Sequence, residues 1–424
     1  MEALSEETRE QLGRIGAADV VLGIPTFNNR ETVGRVVETS LKALANHLAP
    51  QRAVIVNADG ASKDGTPEHL HEVIGEKVPL VQIRYPVYPV RRLSAPLVGV
   101  PGRQEAAGAL FLLAKQLGAR VCAVVDADLD SITEDWIDRL VSPVLDDGVD
   151  MVVPCYRRHK FDGMINSGIV SPFLRALYGK RLRQPAGADL SFSARLVDFF
   201  AGQESNSNGN EPSFVDPWNT IPVICNGFRI GQSFLGPRVV HPREVSPDLS
   251  DTLRQVLTIV FDPLDRTASF WQRVRGSEDV PSFGPPPEVD AGNTEINVKR
   301  MIDSFRLGCQ DLAGVWNLIL PPATLLDLRR MLRLSDTDFC FHDDVWARTV
   351  YDFALGYHLR VIGRDHLLKA LTPLYWGWVA SIIKELQDSD AEAVEQRLER
   401  LSRQFEMQKR YLISRWRWPD RFSP

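Results

Sequence analysis

The sequence predicts an α/β domain over residues 1–245 followed by a mostly α-helical domain over residues 246–424. Three observations carry this. Five short apolar runs (ADVVLGIP, RAVIVNAD, VPLVQIRY, ARVCAVVD and VDMVVPCY) alternate with longer amphipathic stretches between Asp19 and Val240, as strands and helices do when they take turns in a sheet. Beyond His241 the apolar residues recur at helical spacing, with hardly a strand among them. The 424 residues are 44% hydrophobic and 25% charged, the composition of an ordinary globular protein long enough for two domains.

The first two runs are joined by Glu31 to His47, where Val33, Val36, Val37, Leu41 and Leu44 fall on one helical face. Asn28 stands three residues before Glu31, the spacing of a capping box. Strand, helix and strand make one βαβ unit. After VPLVQIRY, a helix over Gln104 to Leu117 lines one face with Ala106, Ala107, Leu110, Leu113 and Ala114 and delivers the chain into ARVCAVVD. GQESNSNGNEPS, residues 202–213, is polar and rich in Gly and Asn, and reads as a loop. The second domain reads as helices over Asp251–Phe261, Asn297–Leu307, Pro322–Leu334, Asp343–Tyr357, His366–Leu386 and Ala391–Arg415. VPSFGPPPEVD, residues 280–290, interrupts them as a proline-rich loop.

Composition also excludes. Lys+Arg 49 against Asp+Glu 55 gives a net charge of −6 with no basic stripe, so a nucleic-acid partner has no electrostatic support. The acidic N-terminus MEALSEETREQLGRIG lacks the basic start and apolar core of a signal peptide. The longest nearly apolar stretch, Ala370 to Ile383, contains Pro373 and falls short of the ~20 residues a membrane span needs. Cys122, Cys155, Cys225, Cys309 and Cys340 lie far apart, form no CxxC pair, and read as buried small apolar residues. A cytoplasmic location is the expectation; self-association is equally compatible with the sequence.

The chemistry concentrates in CAVVDADLD, where an apolar run delivers Asp126 and Asp128 to a strand end, the edge at which open α/β sheets bind ligands. Two carboxylates one residue apart can meet a divalent cation together with the polar groups of its ligand; they also suit the turn before ITEDWIDRL. The first strand ends as GIPTFNNRETV and the second as VNADGASKDGT. A proline followed by small polar residues, an Asp-Gly turn and a later DAD at a strand end resemble the ordered triplet of a GT-A glycosyltransferase. Neither GxxxxGK[ST] nor GxGxxG follows the first strand.

The resemblance extends along the chain. VVDADLDSITEDWIDRLVSPVL, DMVVPCYRRHKFDGMINSGIVSPFLRALYG and QPAGADLSF are similar to the corresponding run of the retaining GT-A enzymes that make glycosylglycerates: the mannosylglycerate, glucosylglycerate and glucosyl-3-phosphoglycerate synthases. FCFHDDVWARTVYDFALGYH resembles their helical C-terminal domain.

This resemblance implies a Rossmann-like GT-A fold and a set of roles. Pro25, Thr26, Asn29 and Asp59 would hold the nucleoside, although Asn29 replaces a residue that is acidic in some relatives. Arg103 of PGRQEA would face the diphosphate. Asp126 would support the ribose or the metal, and Asp128 with His241 of RVVHPR would ligate Mg²⁺ or Mn²⁺. Gly187 and Asp189 of PAGADL would lie beside the donor sugar, and Asp216 of FVDPWN near the reacting centre. For the acceptor, Arg158 would grip a carboxylate with its two parallel donors, beside Asn166. Met164 stands where the phosphoglycerate enzymes carry an arginine, which favours unphosphorylated glycerate. Trp218, Trp376 and Trp378 are expected to pack helices.

The function implied is transfer of glucose or mannose, with retention, from a nucleoside-diphosphate sugar to the 2-hydroxyl of D-glycerate. GDP, UDP and ADP sugars all suit these residues, and so do front-face and double-displacement routes. The alternatives are a GT-A transferase with another acceptor (3-phosphoglycerate, polyol, saccharide or lipid) and a non-catalytic sugar-nucleotide-binding scaffold.

Overall fold

The computed structural model describes residues 6–85, 102–205, 219–241, 248–286, 290, 292 and 296–418. Its strands are β1 Val20–Thr26, β2 Ala53–Asp59, β3 Leu80–Arg84, β4 Val121–Val124, β5 Met151–Arg157, β6 Lys180–Arg181, β7 Leu190–Ser193, β8 Ile230–Pro237, β9 Glu278–Asp279 and β10 Ser282–Phe283. Eight form one sheet in the order β10-β8-β5-β7-β4-β1-β2-β3. Every pairing in it is parallel except those of β7, which runs antiparallel to both β4 and β5. β6 and β9 pair separately.

Two compact units result. One comprises residues 1–157, 184–247 and 280–287, and the other 158–183, 248–279 and 288–424. Segment 158–183 thus groups with the helices and segment 280–287 with the sheet.

All five expected runs are strands of the large sheet. They read as continuous apolar runs because helices cover them: every residue of β1 and of β4 is buried. The helix Arg30–Asn46 buries Val33, Val36, Val37, Leu41 and Leu44, and Glu134–Leu145 adds Trp136, Ile137, Leu140 and Val141 to the same core. The helix Arg103–Gln116 packs on β1, β2 and β4 through its alanine-rich face.

The capping box does not form. Asn28 adopts a left-handed φ of 54° and its side chain accepts from the Lys63 amide at 2.9 Å, so Asn29 becomes the N-cap. The proline-rich loop also needs correction, since Ser282–Phe283 joins the sheet as an edge strand beside β8. Of the 202–213 loop, only Gly202 to Ser205 lie within the described residues, and they end the helix Ala194–Ser205.

In the helical unit, the helix expected over His366–Leu386 is two, Arg364–Ala370 and Thr372–Leu386. Pro373 marks the break: it has no amide hydrogen to give and suits the first turn of the second helix. Trp378 is fully buried, stacked on Trp346 at 5.2 Å, while Trp376 is half-buried and Trp218 lies outside the described residues. Cys122 and Cys155 are buried as expected; Cys225 and Cys309 are half-buried, and Cys340 is exposed. Among the described residues no helix is long and apolar enough to cross a membrane.

Candidate active site

The chain runs outward from β1 to β2 and β3, then returns to place β4 on the other side of β1. The switch point thus lies between β1 and β4, and their carboxyl ends are the place where such sheets bind ligands. The turns that leave β1, β2 and β4 meet there.

The first two turns are tied together by short polar side chains. Thr26 Oγ1 donates to Asp59 Oδ1 at 2.9 Å and accepts from Asn57 Nδ2 at 2.9 Å. Asp59 also accepts from the Ser62 hydroxyl at 2.5 Å and the Ser62 amide at 2.9 Å, while Ser62 Oγ accepts from the Asn28 amide. Thr26 and Asp59 are buried, with Pro25 beside them in β1. What this arrangement offers a ligand is a rigid rim made by backbone and short side chains.

Past β4, Asp126 and Asp128 are both buried. Asp128 Oδ1 accepts from the Asn29 side-chain amide and from Thr32 Oγ1 at 3.2 Å. Asp126 Oδ1 accepts from the Asp128 amide at 3.2 Å and its Oδ2 from Arg238 Nη2 at 2.6 Å. The Asp126 amide donates to Asp189 Oδ1 at 2.9 Å, and the Tyr156 hydroxyl donates to Asp189 Oδ2 at 2.5 Å. Tyr156 in turn accepts from the amides of Ala188 and Asp189.

Two carboxylates and one guanidinium therefore share a nearly dry space. Burial pushes the Asp126 carboxyl up to about 6 despite the lowering pull of Arg238, and the neighbouring Asp189 and Asp128 push the same way. Burial raises Asp189 as well, against Arg238, the Tyr156 hydrogen bond and the charge of Arg103. Tyr156 is held well above its ordinary value by burial and by the Asp189 charge. Arg238 Nε is buried without a hydrogen-bond partner; an Asp189 oxygen stands 3.9 Å from it.

Segment 128–130 pairs with segment 239–241. The His241 amide donates to the Asp128 carbonyl at 2.9 Å, and the Asp130 amide to the Val239 carbonyl at 3.0 Å, around an antiparallel bridge between Leu129 and Val240. Opposed residues of an antiparallel pair project to one side, so Asp128, Asp130 and His241 share a face. The imidazole is 43% exposed, its Nδ1 3.4 Å from Asp130 and its Nε2 3.7 Å from Glu31. No three His, Cys, Asp or Glu side chains converge as a metal cage among the described residues.

The structure places Pro25, Thr26, Asn29, Asp59, Asp126, Asp128, Asp189 and His241 around the carboxyl ends of β1, β2 and β4, with Arg103 at the start of its helix. Gly187 has a packing reason: a Cβ there would lie 2.0 Å from Pro154 Cγ. Asp216 lies outside the described residues. Arg158 and Asn166 belong to the helical unit. There Arg158 lays its guanidinium over Gly163, where a Cβ would come within 2.7 Å of Nη1, and Asn166 opens the π-helical turn Asn166–Val170. Tyr156 and Arg238 were not foreseen. Arg238 stands three residues before His241 in RVVHPR, and its nearness to Asp126 depends on β8 lying in the sheet.

Residues 22–201 match the model of a family described as Glycosyl transferase family 2. No curated protein matches the chain. Among solved structures, the chain is similar to glucosyl-3-phosphoglycerate synthase from Mycobacterium tuberculosis in complex with Mn²⁺, uridine-diphosphate and phosphoglyceric acid. The identity is 19% and the TM-score 0.41, over 61% of this chain and 82% of that one. The same synthase with Mg²⁺ and uridine-diphosphate gives 18% identity and a TM-score of 0.40, over 63% of this chain and 86% of that one. The family match makes the sheet-bearing segment a GT-A glycosyltransferase domain, accompanied by a mostly helical C-terminal region.

Proposed function

We propose that this chain is a metal-dependent, retaining glycosyltransferase that moves glucose or mannose from a nucleoside diphosphate to the 2-hydroxyl of D-glycerate. The observation that carries the reading is the pair Asp126 and Asp128, fixed at the switch point of a glycosyltransferase sheet with His241 bonded to Asp128 through the main chain.

The donor set suits a divalent cation. Asp128 and His241 face the same side of their ribbon, and Mg²⁺-like ions bind through one or two protein groups while keeping waters and substrate phosphates as the rest of their shell. When bound, the cation neutralises charge on the departing diphosphate. The chain's own residues do the remainder. The rim of Pro25, Thr26 and Asp59 receives the nucleoside, Arg103 adds positive charge for the diphosphate, and Asp126 supports the ribose or the metal. Gly187 and Asp189 border the sugar, and the family resemblance gives Asp216, which lies outside the described residues, a role near the reacting carbon.

On the acceptor side, Arg158 reads the carboxylate and Asn166 a hydroxyl. The basic segment around Arg158 supports an unphosphorylated acceptor. Met164 is buried, Lys160 gives its ammonium to the carbonyls of Gln387 and Ser389 at 2.6 and 3.3 Å, and His159 Nε2 contacts the Gly292 carbonyl at 2.7 Å. A 3-phosphate would therefore have to compete with backbone carbonyls for the Lys160 ammonium.

The test is a matrix of GDP-, UDP- and ADP-sugars against D-glycerate, 3-phosphoglycerate, lactate and glycerol with Mn²⁺ or Mg²⁺, products identified by mass and anomeric coupling. Transfer to glycerate with retained configuration supports the reading. Binding of sugar nucleotide without transfer to any acceptor makes the chain a scaffold instead.

A further inference from the structure

The family resemblance places Asn29 among nucleoside contacts, yet its side chain is buried and bonded elsewhere. Asn29 is 3% exposed. Its Oδ1 accepts from the Phe27 amide at 2.6 Å. That amide can only donate, so the orientation of the carboxamide is fixed and Nδ2 must face the other way. It faces Asp128 Oδ1, to which it donates. Its backbone is pinned too: the Asn29 amide donates to Thr66 Oγ1 at 2.9 Å, and its carbonyl accepts from the amides of Thr32 and Val33. Thr32 Oγ1 lies 3.2 Å from the same Asp128 oxygen.

We infer that Asn29, with Thr32 in support, is a positioning residue for Asp128 and not a reader of the nucleoside base. This rests on the reading of Asp128 as a metal-binding carboxylate. The Asn29 side-chain amide, with the Thr32 hydroxyl whose one proton is shared between Asp128 Oδ1 and the Asn29 carbonyl, holds one carboxylate oxygen, fixes the rotamer, and leaves the charge intact. A metal-binding carboxylate held this way loses less freedom on coordination, and removal of such an outer partner weakens metal binding 10–100-fold in order of magnitude. An acidic residue at position 29 would set a second carboxylate against Asp128 Oδ1, where no N–H could be offered; asparagine supplies the donor at the same length.

The experiment uses the full chain, with free Mn²⁺ followed by electron paramagnetic resonance in the presence of UDP, GDP or ADP in turn. Asn29→Ala is expected to weaken Mn²⁺ binding about tenfold or more, and Thr32→Val by a smaller factor. The ratios of UDP, GDP and ADP affinities should stay as in the wild type. Thr32→Val replaces the hydroxyl by a methyl of the same shape and gives up one long contact to the Asn29 carbonyl, which keeps its bonds from the Thr32 and Val33 amides, so it carries the test if Asn29→Ala does not fold. Wild-type Mn²⁺ affinity in the folded variants, or a changed order of base preference in Asn29→Ala, would overturn the inference. A wild-type protein that binds neither Mn²⁺ nor any of the three nucleotides would instead overturn the functional reading, and the inference with it.

Discussion

Replacing Arg238 by methionine removes the positive charge that, among the described residues, is in hydrogen-bond contact with Asp126, and leaves two carboxylates buried together. Asp126 and Asp189 have side chains 3% and 0% exposed, and Arg238 is 17% exposed, with Nη2 2.6 Å from Asp126 and Nε 3.9 Å from Asp189. Breaking such a buried pair by removing one partner costs about 3–5 kcal/mol. At roughly 2–4 °C per kcal/mol for a domain of this size, the melting temperature should fall by about 6–20 °C. The sign with pH follows from the proton count. Asp126 already titrates at about 6 in the intact protein, above its ordinary 3.8, so between those values the folded state holds more protons than the unfolded one and stability falls as pH rises. Without Arg238 the folded value climbs further, and the loss continues to higher pH. The gap in melting temperature between Arg238→Met and wild type should therefore be wider at pH 8 than at pH 5, measured by calorimetry. Equal gaps at both pH values, or a variant as stable as the wild type at pH 8, would refute the view that Arg238 neutralises this pair.

Activity should vanish with EDTA and return with Mn²⁺ or Mg²⁺, and Asp128→Ala and His241→Ala should each lose most turnover; full rates for either in chelated buffer would exclude a metal held there. Arg158→Ala should raise the glycerate KM strongly at nearly unchanged donor KM, since losing a charge-assisted bond costs on the order of 1.5–3 kcal/mol; equal acceptor kinetics in variant and wild type would count against the assignment. D-glycerate should show a higher kcat/KM than 3-phosphoglycerate in direct competition, because a dianion beside Met164 loses water without gaining a donor; the opposite order would mean that the segment around Arg157 supplies the missing charge.

Much of the sheet could be read because its strands are covered on both faces and so appear as unbroken apolar runs; β1 is the clearest case. β7 and β8 could not. LSFS has four residues, and IGQSFLGP is punctuated by Gly231, Gln232, Ser233 and Gly236, polar and small positions whose burial depends on partners distant in sequence. The carboxylates of the site were visible for a local reason, since a DAD turn at a strand end is a pattern. Their partners were not, because Tyr156 to Asp189 and Arg238 to Asp126 are contacts across 33 and 112 positions that exist only once the strand order is known. Asn29 illustrates the remaining difficulty. Its place in the turn was legible, while the direction of its amide was decided by the Phe27 N–H.

The insertion of β7 against its neighbours' direction divides the sheet in time as well as in space. β3, β2, β1 and β4 lie within residues 20–124, so this half can pair while the rest of the chain is still being made, and with it comes the bond between Asn29 and Asp128. The other half closes only when residues 190–193 and 230–237 arrive, bringing Asp189 and Arg238 to Asp126. During synthesis the earlier segments are available to pair first. Neighbouring aspartates of one short motif are thus expected to mature at different stages of folding, Asp128 early and Asp126 last, and a chain halted before β8 would carry an ordered Asp128 beside a buried carboxyl still waiting for its counter-charge.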